Sequence, residues 1–353
     1  MIRIKARAPA ARGAVLATLW GAVAVAYRFG CPQQDGLGAR IVTSAVFFAV
    51  GTGLIVYVRR ALLRELRQAR RVAGVAQSVV LRPVPARLGG LNLAAAQLSA
   101  DRGATIGGDL YEAVATEHGV RVVMGDVRGH GLGVLGTVAA VLGSFREAAH
   151  DEPELGSVLR RLERALARHL RERSRAEHPA NGAPDPDNPV AEEFVTLLLL
   201  DIGEEGELRA LNCGHPWPYL LSGTRVEPLT RAEPLPPLGP FPLPAELEAR
   251  PCGRLLPGES LVLFTDGAED ARDARGRFLS LPTVLREAVH DHPVSAQTVL
   301  RTVFGALLQH TAGKPTDDVA VLVLRNDRRN VGIPGVRGTA RQAPTDPQPT
   351  THR

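Results

Sequence analysis

The sequence predicts an α+β domain in which antiparallel hairpins accompany paired amphipathic helices. Three observations carry this. Two apolar segments turn back on themselves over short polar stretches: one from Ile106 to Asp126, the other from Phe194 to Asn212. Between them lie two helical patterns, about Gly133 to His150 and Pro153 to Arg171, with apolar residues three and four apart. Later come a central-type strand, Ser260–Thr265, and an all-apolar strand, Val319–Leu324, each with acids at one end. Hairpins interrupted by a helix pair, without regular strand–helix alternation, suit antiparallel sheets rather than a parallel one.

The first hairpin, GGDLYEAVATEHGVRVVMGDVRGHG from Gly107 to Gly131, organises the rest. Its turn centres on Glu117 and His118. The numbers 109 and 126 sum to the same value as 117 and 118, so Asp109 and Asp126 face each other. Directly opposed residues on an antiparallel ladder have Cβ atoms about 5 Å apart. Two carboxylates that close repel unless a proton or a cation lies between them. The plainer alternative is a pair of solvated acids beside a turn.

The helix after the hairpin buries Leu132, Leu135, Ala139, Leu142 and Phe145; the next buries Leu155, Val158, Leu159, Leu162 and Leu166. Residues Glu172 to Glu193 are rich in Pro, Asn and Gly and nearly devoid of apolar side chains, which predicts a flexible insertion rather than a domain boundary. Phe194–Asp201 and Leu208–Asn212 form the second hairpin, followed by a compact turn at Asn212–Pro216. His215 in that turn either contacts a phosphate or packs as a turn residue. The second reading is preferred, because its motif holds no acid to set a tautomer. Short strands follow at Tyr219–Leu221 and Arg225–Pro228, and the proline-rich stretch Pro228–Pro251 reads as irregular.

Asp266 ends the strand Ser260–Thr265, with Gly267 allowing close approach behind it. A helix at about Val294–Gln309 precedes Asp317 and Asp318, which lead into Val319–Leu324; turn formation and edge protection are their plainer roles. Acids at 109, 126, 266 and 317/318, without clustered cysteine or histidine, select hard divalent cations, Mg²⁺ or Mn²⁺. Two such ions can clamp a phosphoryl group in line with a water of lowered pKa.

Charge is divided unevenly. Met1 to Arg82 carries thirteen Lys/Arg against Asp35 and Glu65, or +11, while the remaining 29 basic and 35 acidic residues give −6. A sequence pI of about 9.5 would fit nucleic acid. The bulk of the chain is acidic, however, and the basic part lacks interleaved aromatics, which excludes a nucleic-acid surface. Cys31, Cys213 and Cys252 are isolated, so neither a zinc site nor a disulfide framework is expected.

The basic residues flank two apolar runs, 13–29 and 41–58, close to the ~20 residues of a membrane span. With arginines before the first and after the second, residues 1–58 are expected to be a transmembrane helical hairpin. Both termini and the large domain would then face the cytoplasm from the inner membrane. A signal peptide is the competing view of the first run, and a buried helical hairpin of a soluble protein is the alternative for both. Residues 59–82 are expected to be a linker helix. Leu62, Leu66, Ala69, Ala73, Ala76 and Val80 give it an alanine-weakened seam suited either to a homodimer or to a plain helix. Pro83 and Pro85 end it. Residues 326–353 are rich in Pro, Thr and Arg and read as a disordered tail.

The order of these motifs resembles the metal-dependent protein phosphatases of the 2C class (PPM), and among them the bacterial branch typified by stage II sporulation protein E and the stress-response phosphatases. The resemblance covers about Gln77 to Leu324 and rests on a combination: IGGDLYE at 106–112, GDVRGHG at 125–131, NCGHPWPYLL at 212–221, PGESLVLFTDG at 257–267 and TDDVAVLVL at 316–324. It implies a sandwich of two antiparallel sheets flanked by helices over residues 83–325, with the insertion at 172–193. It implies that Asp109 is an outer metal ligand, that Asp126 bridges two Mn²⁺ or Mg²⁺ ions with the Val127 carbonyl beside it, and that Asp266 and Asp317 complete the set. Asp318 stands where the class often has Asn; Glu112 and Asp270 are charge-preserving departures. Arg128 and His130 flank the bridging aspartate as candidate substrate contacts, since the branch lacks the N-terminal arginine that grips phosphate in many eukaryotic members.

The implied activity is hydrolysis of phosphoserine or phosphothreonine without a covalent enzyme intermediate. The implied substrate is a small phosphorylated anti-sigma-factor antagonist. Gln77–Pro83 resembles the segment through which an N-terminal helix controls this branch. Two other functions remain open at this level: a non-catalytic, membrane-anchored regulator that keeps the fold, and a hydrolase of smaller phosphoesters. The clustered acids argue against the first. The 4% aromatic content leaves no obvious stacking platform for the second.

Overall fold

The structure is a computed structural model and describes residues 48–64, 80–98, 107–129, 132–177, 193–290 and 295–328. From residue 87 onward the elements run β1 (Arg87–Leu88), β2 (Leu91–Leu98), β3 (Asp109–Thr116), β4 (Gly119–Val127), α1 (Leu132–Asp151) and α2 (Leu155–Glu177). There follow β5 (Val195–Ile202), β6 (Glu207–Cys213), β7 (Tyr219–Ser222), β8 (Arg225–Pro228), β9 (Arg250–Arg254) and β10 (Ser260–Phe264). The chain closes with α3 (Leu281–Ala288), α4 (Ala296–His310) and β11 (Val319–Asn326).

Alternation along the strands explains why these elements form layers. On β4, Val122 and Met124 point to one face, where Leu198, Leu200, Leu261, Leu263, Leu322 and Leu324 meet them between two sheets. Val123 and Val127 point to the other face, against Val141, Leu142 and Phe145 of α1 and Leu159 and Leu162 of α2. Val262, Phe264, Val321 and Val323 likewise pack on Val284 and Leu285 of α3 and Val299 and Val303 of α4. Both faces of the central strands are therefore apolar, which is why β5, β10 and β11 are near-continuous apolar runs. Each such Val or Leu side chain contributes about 1.5–3 kcal/mol through burial.

One sheet has the order β1-β2-β11-β10-β7-β8 and the other β3-β4-β5-β6-β9. Every strand pairing within them is antiparallel. The α+β sandwich flanked by helices thus agrees with the expected architecture. Among the elements the sequence reading missed are β2, β9 and α3. β2 pairs along its whole length with β11. β9 lies at a sheet edge, inside a stretch read partly as irregular. α3 is a helix of 8 residues with proline in its first turn.

The transmembrane hairpin is corrected. Among the described residues no helix is long and apolar enough to cross a membrane. Residues 41–47 of the second apolar run lie outside the described residues; residues 48–64 are helical, and Arg59, Arg60 and Arg64 lie within that helix. The multi-pass inner-membrane placement and the cytoplasmic orientation fall with the hairpin. The first apolar run, 13–29, lies outside the described residues, as do Leu66, Ala69, Ala73 and Ala76 of the proposed dimer seam, residues 178–192 of the insertion, and 329–353 of the tail. At the end of the linker, Val80 and Leu81 pack against the α1–α2 layer. Arg146 of α1 joins the two regions: its Nη2 donates to the Val80 carbonyl at 2.8 Å and its Nε to both oxygens of Glu112 on β3 at 2.9 and 2.8 Å.

Candidate metal centre

The β3–β4 register places Asp109 directly opposite Asp126. The glycines ahead of Asp109 make the approach feasible. A Cβ on Gly108 would collide with the Val127 carbonyl oxygen and with Asp126 Oδ1, and one on Gly107 with the Asp318 carboxylate. The Val127 N–H donates to the Gly108 carbonyl at 3.1 Å, which fixes this crossing of backbones. Gly108, Asp126 and the Val127 carbonyl are therefore held against one another at the end of one sheet.

The other sheet supplies the rest. β10 ends on Phe264, and Asp266 opens a single 3-10 turn, Asp266–Ala268. Its neighbour β11 starts at Val319, directly after Asp317 and Asp318. Thr265 clips the two strands together: its N–H donates to the Ala320 carbonyl at 3.1 Å, and its Oγ1 accepts from the Ala320 N–H at 2.9 Å. A Cβ on Gly267 would strike the Asp318 carbonyl oxygen, so this contact too requires glycine. The Asp318 N–H donates to Asp317 Oδ1 at 2.8 Å.

Gly108, Asp109, Asp126, Asp266, Asp317 and Asp318 line one cavity of about 260 Å³, together with Arg128, Gly129, Phe194 and Thr196. Its electrostatics are those of crowded acids. Asp109 is 2% exposed. Burial, then the charges of Asp126, Asp318 and Asp266, raises its pKa well above the carboxylate range, and only the Thr265 hydroxyl opposes this. Asp126 is raised to about 7, again chiefly by burial and then by Asp266, Asp317 and Asp318. Asp266 is raised by burial and by Asp317 and Asp270. Asp109 Oδ2 is buried without a hydrogen-bond partner. A buried acceptor without a donor, opposite a second carboxylate, fits a hard cation with oxygen ligands. Among the described residues the side chains are not drawn into a ready-made group of three or more metal ligands. The fit thus rests on donor chemistry and the glycine cradle, not on a closed coordination shell.

The other sequence candidates fall in different places. His130 lies outside the described residues. Arg128, exposed, extends its guanidinium over the Phe194 ring, 5.3 Å from the ring centroid. His215 does not line the cavity. Asn212 brackets its turn, accepting from the His215 N–H and donating to its carbonyl, both at 2.8 Å, and Gly214 takes φ +70°. The buried ring lies with Nδ1 3.1 Å from Thr196 Oγ1, and burial pushes its pKa down to about 3, so it is neutral. His215 is thus a packing residue that supports a site residue.

Sequence reasoning missed Thr196 and Phe194. Thr196 pairs with Asp126 in the β4–β5 register, and the Arg128 N–H donates to the Phe194 carbonyl at 2.9 Å. The available signal was the segment FVT at the head of an apolar strand, next to the flexible insertion.

A family model described as stage II sporulation protein E (SpoIIE) matches residues 116–327. The match begins inside the first hairpin, so the place of Asp109 rests on strand register. Among solved structures, the fold is similar to the RsbU and RsbW domains of Rv1364c from Mycobacterium tuberculosis, with 21% identity and a TM-score of 0.51. That alignment covers 70% of this chain and 62% of that one, so this chain spans less than two thirds of the compared structure. It is also similar to the SiaA-PP2C domain of Pseudomonas aeruginosa, with 16% identity and a TM-score of 0.51, covering 76% and 98% of the two chains. No match was found among curated proteins.

Proposed function

The chain belongs to the stage II sporulation protein E (SpoIIE) family of PPM/PP2C-type serine/threonine phosphatases, and on that premise we propose that it hydrolyses phosphoserine or phosphothreonine on a regulatory protein. The observation that carries this reading is the meeting of Asp109 and Asp126 from one sheet with Asp266, Asp317 and Asp318 from the other around a single cavity. Asp109, Asp126, Asp266, Asp317 and the Val127 carbonyl would hold two Mn²⁺ or Mg²⁺ ions. When bound, such ions supply a water of lowered pKa and offset charge on the phosphoryl group.

The chain's own contribution is placement. Asp126, opposite Asp109, would help hold the ions; Gly108 lets Asp126 and the Val127 carbonyl approach within one sheet, and Gly107 lets the Asp318 carboxylate of the other sheet approach. Burial of Asp109 and Asp126 favours a bound proton, which an incoming divalent ion must displace. Asp318 takes a supporting position beside Gly107 rather than that of a principal ligand. The open carboxylate rim suits a phosphorylated loop on a protein better than an enclosed nucleotide. The resemblance to stress-response phosphatases, and the fold likeness to a protein that carries RsbU and RsbW domains, support a small anti-sigma-factor antagonist as substrate.

The test is phosphate release by the full chain from a phosphoserine peptide, with Mn²⁺ or Mg²⁺ against chelator. The expected outcome is metal-dependent release that disappears in Asp126→Ala. Release that persists in chelator, or that survives in Asp126→Ala at the wild-type rate, overturns the reading.

A further inference from the structure

His215 is buried, and the turn that carries it does not require an imidazole. Asn212 clamps that turn through the backbone of residue 215 alone, accepting from its N–H and donating to its carbonyl. A buried polar ring costs free energy unless it is hydrogen-bonded, and a phenyl ring would fill the space without that cost. The His215 Nδ1 lies 3.1 Å from Thr196 Oγ1, within hydrogen-bond distance. What the imidazole adds to packing is therefore a hold on the Thr196 hydroxyl.

Thr196 stands on β5 directly opposite Asp126 of β4. Opposed Cβ atoms on such a ladder are about 5 Å apart. Half-buried, Thr196 lines the same cavity as the carboxylates. Its hydroxyl has one proton and two acceptor positions, and His215 takes one of these three. A β-branched side chain has few χ1 settings, and a hydrogen bond to a buried ring selects among them. The ring is neutral, its pKa pushed down to about 3 by burial. A neutral imidazole carries its proton on either nitrogen, so Nδ1 can donate to Thr196 and leave the hydroxyl proton for an acceptor in the cavity. A phosphoryl oxygen is such an acceptor. It lies within reach of a residue whose strand partner is one of the carboxylates at the centre of the site.

We propose that the Thr196 hydroxyl donates a hydrogen bond to the phosphoryl group of the substrate, and that His215 is the positioning residue that aims it. This deepens the phosphatase reading and rests on it. The competing role is structural only: His215 and Thr196 fill space between the turn and β5 without touching phosphate.

The two roles separate in a double-mutant cycle on the full chain. Inorganic phosphate is titrated by calorimetry into wild type, Thr196→Val, Thr196→Ser, His215→Phe and the His215→Phe/Thr196→Val double variant at saturating Mn²⁺; Mn²⁺ alone is titrated separately. Circular dichroism and urea unfolding check the fold of each, and His215→Gln replaces His215→Phe in the cycle should the latter not fold. Loss of a hydrogen bond to a charged group predicts about 10-fold weaker phosphate binding in Thr196→Val, and Thr196→Ser should stay within about 3-fold of wild type. His215→Phe should weaken phosphate about 3- to 10-fold, and in the double variant it should add nothing to Thr196→Val, because it acts through that hydroxyl. Mn²⁺ affinity should be the same throughout. Phosphate affinity unchanged in Thr196→Val overturns the proposal, as does a His215→Phe effect that is fully additive in the double variant. A loss of Mn²⁺ affinity large enough to account for the loss of phosphate binding also overturns it, and so does a folded, Mn²⁺-loaded wild type that binds no phosphate. Phosphate release is measured in parallel. Thr196-dependent phosphate binding without turnover in wild type keeps this proposal and removes the phosphatase reading; turnover with phosphate binding indifferent to Thr196 does the reverse.

Discussion

Replacing Asp126 by Asn should stabilise the metal-free protein near neutral pH and do little in mild acid. Its carboxyl titrates near 7 in the folded state against 3.8 for the free group. The sign follows from proton counting. Between those values the folded chain holds a proton that the unfolded chain has lost, so stability falls as pH rises. The contribution is fully present below about pH 4 and gone above about pH 7. At about 1.4 kcal/mol for each tenfold change in proton affinity, the rise from 3.8 to about 7 amounts to roughly 4 kcal/mol. Asp109, Asp266, Asp317 and Asp318 share the field with Asp126, so the proton can be redistributed, and ~2–4 kcal/mol is the range to expect. Asparagine keeps the shape and does not titrate. In chelator, urea unfolding of wild type and variant should therefore agree within error near pH 4 and separate by that amount near pH 8. Added Mn²⁺ should restore the wild type near pH 8 and leave the variant almost unmoved, since a bound ion takes the place of the proton. A difference between the two proteins that stays constant from pH 4 to 8 would show that Asp126 is not a strained carboxylate, and the electrostatic account of the site would be wrong.

Two further substitutions probe the framework. Gly108→Ala drives a methyl group into the Val127 carbonyl and Asp126 Oδ1; a displacement of about 1 Å there should lower metal-dependent phosphate release by about 100-fold, with weaker Mn²⁺ binding by calorimetry and a far-UV spectrum like the wild type. Arg121, fully buried on β4, donates to the carbonyls of Ala149 at 2.8 Å, Pro153 at 2.6 Å and Glu152, and lies 3.9 Å from Asp201. Arg121→Met leaves those groups unpaired and should cost about 3–5 kcal/mol in urea unfolding, part of which Asp201→Asn should return in the double variant.

What could be read from the chain was whatever depends on short-range pattern. Asp109 and Asp126 were placed opposite each other by counting outward from the turn at Glu117 and His118, and the register agrees. β10 and β11 were visible because burial on both faces leaves no polar residue in Leu261–Phe264 or Val319–Leu324. Elements defined by distant partners were not visible. β2, with Ala94, Ala95 and Ala96 at its centre, has a weak strand signal and exists through its pairing with β11, far away in sequence. Thr196 and Phe194 look like ordinary strand-start residues until β5 is laid beside β4. The membrane reading failed for a related reason. Hydropathy alone treats Ile41–Val58 as a span, whereas among the described residues no helix is long and apolar enough to cross a membrane, and the helical stretch 48–64 carries three arginines.

The division of the carboxylates between the sheets has a further consequence. Asp109 and Asp126 are fixed by the β3–β4 ladder, while Asp266, Asp317 and Asp318 are fixed by β10 and β11. No ladder hydrogen bond joins these two groups, because their strands belong to different sheets. What holds them in register is the layer of Val122, Met124, Leu198, Leu263 and Leu322 between the sheets, together with the close approach of Gly107 to the Asp318 carboxylate. Apolar packing is non-directional, and it alone would tolerate small sliding of one sheet on the other. The Gly107 contact adds precision, because there the backbone of one sheet meets a carboxylate of the other with no room for a side chain. The site is therefore a property of the assembled sandwich and not of either hairpin. A cation bridging Asp126 and Asp266 would act as a strut between the sheets, tying metal affinity to the same packing that stabilises the fold.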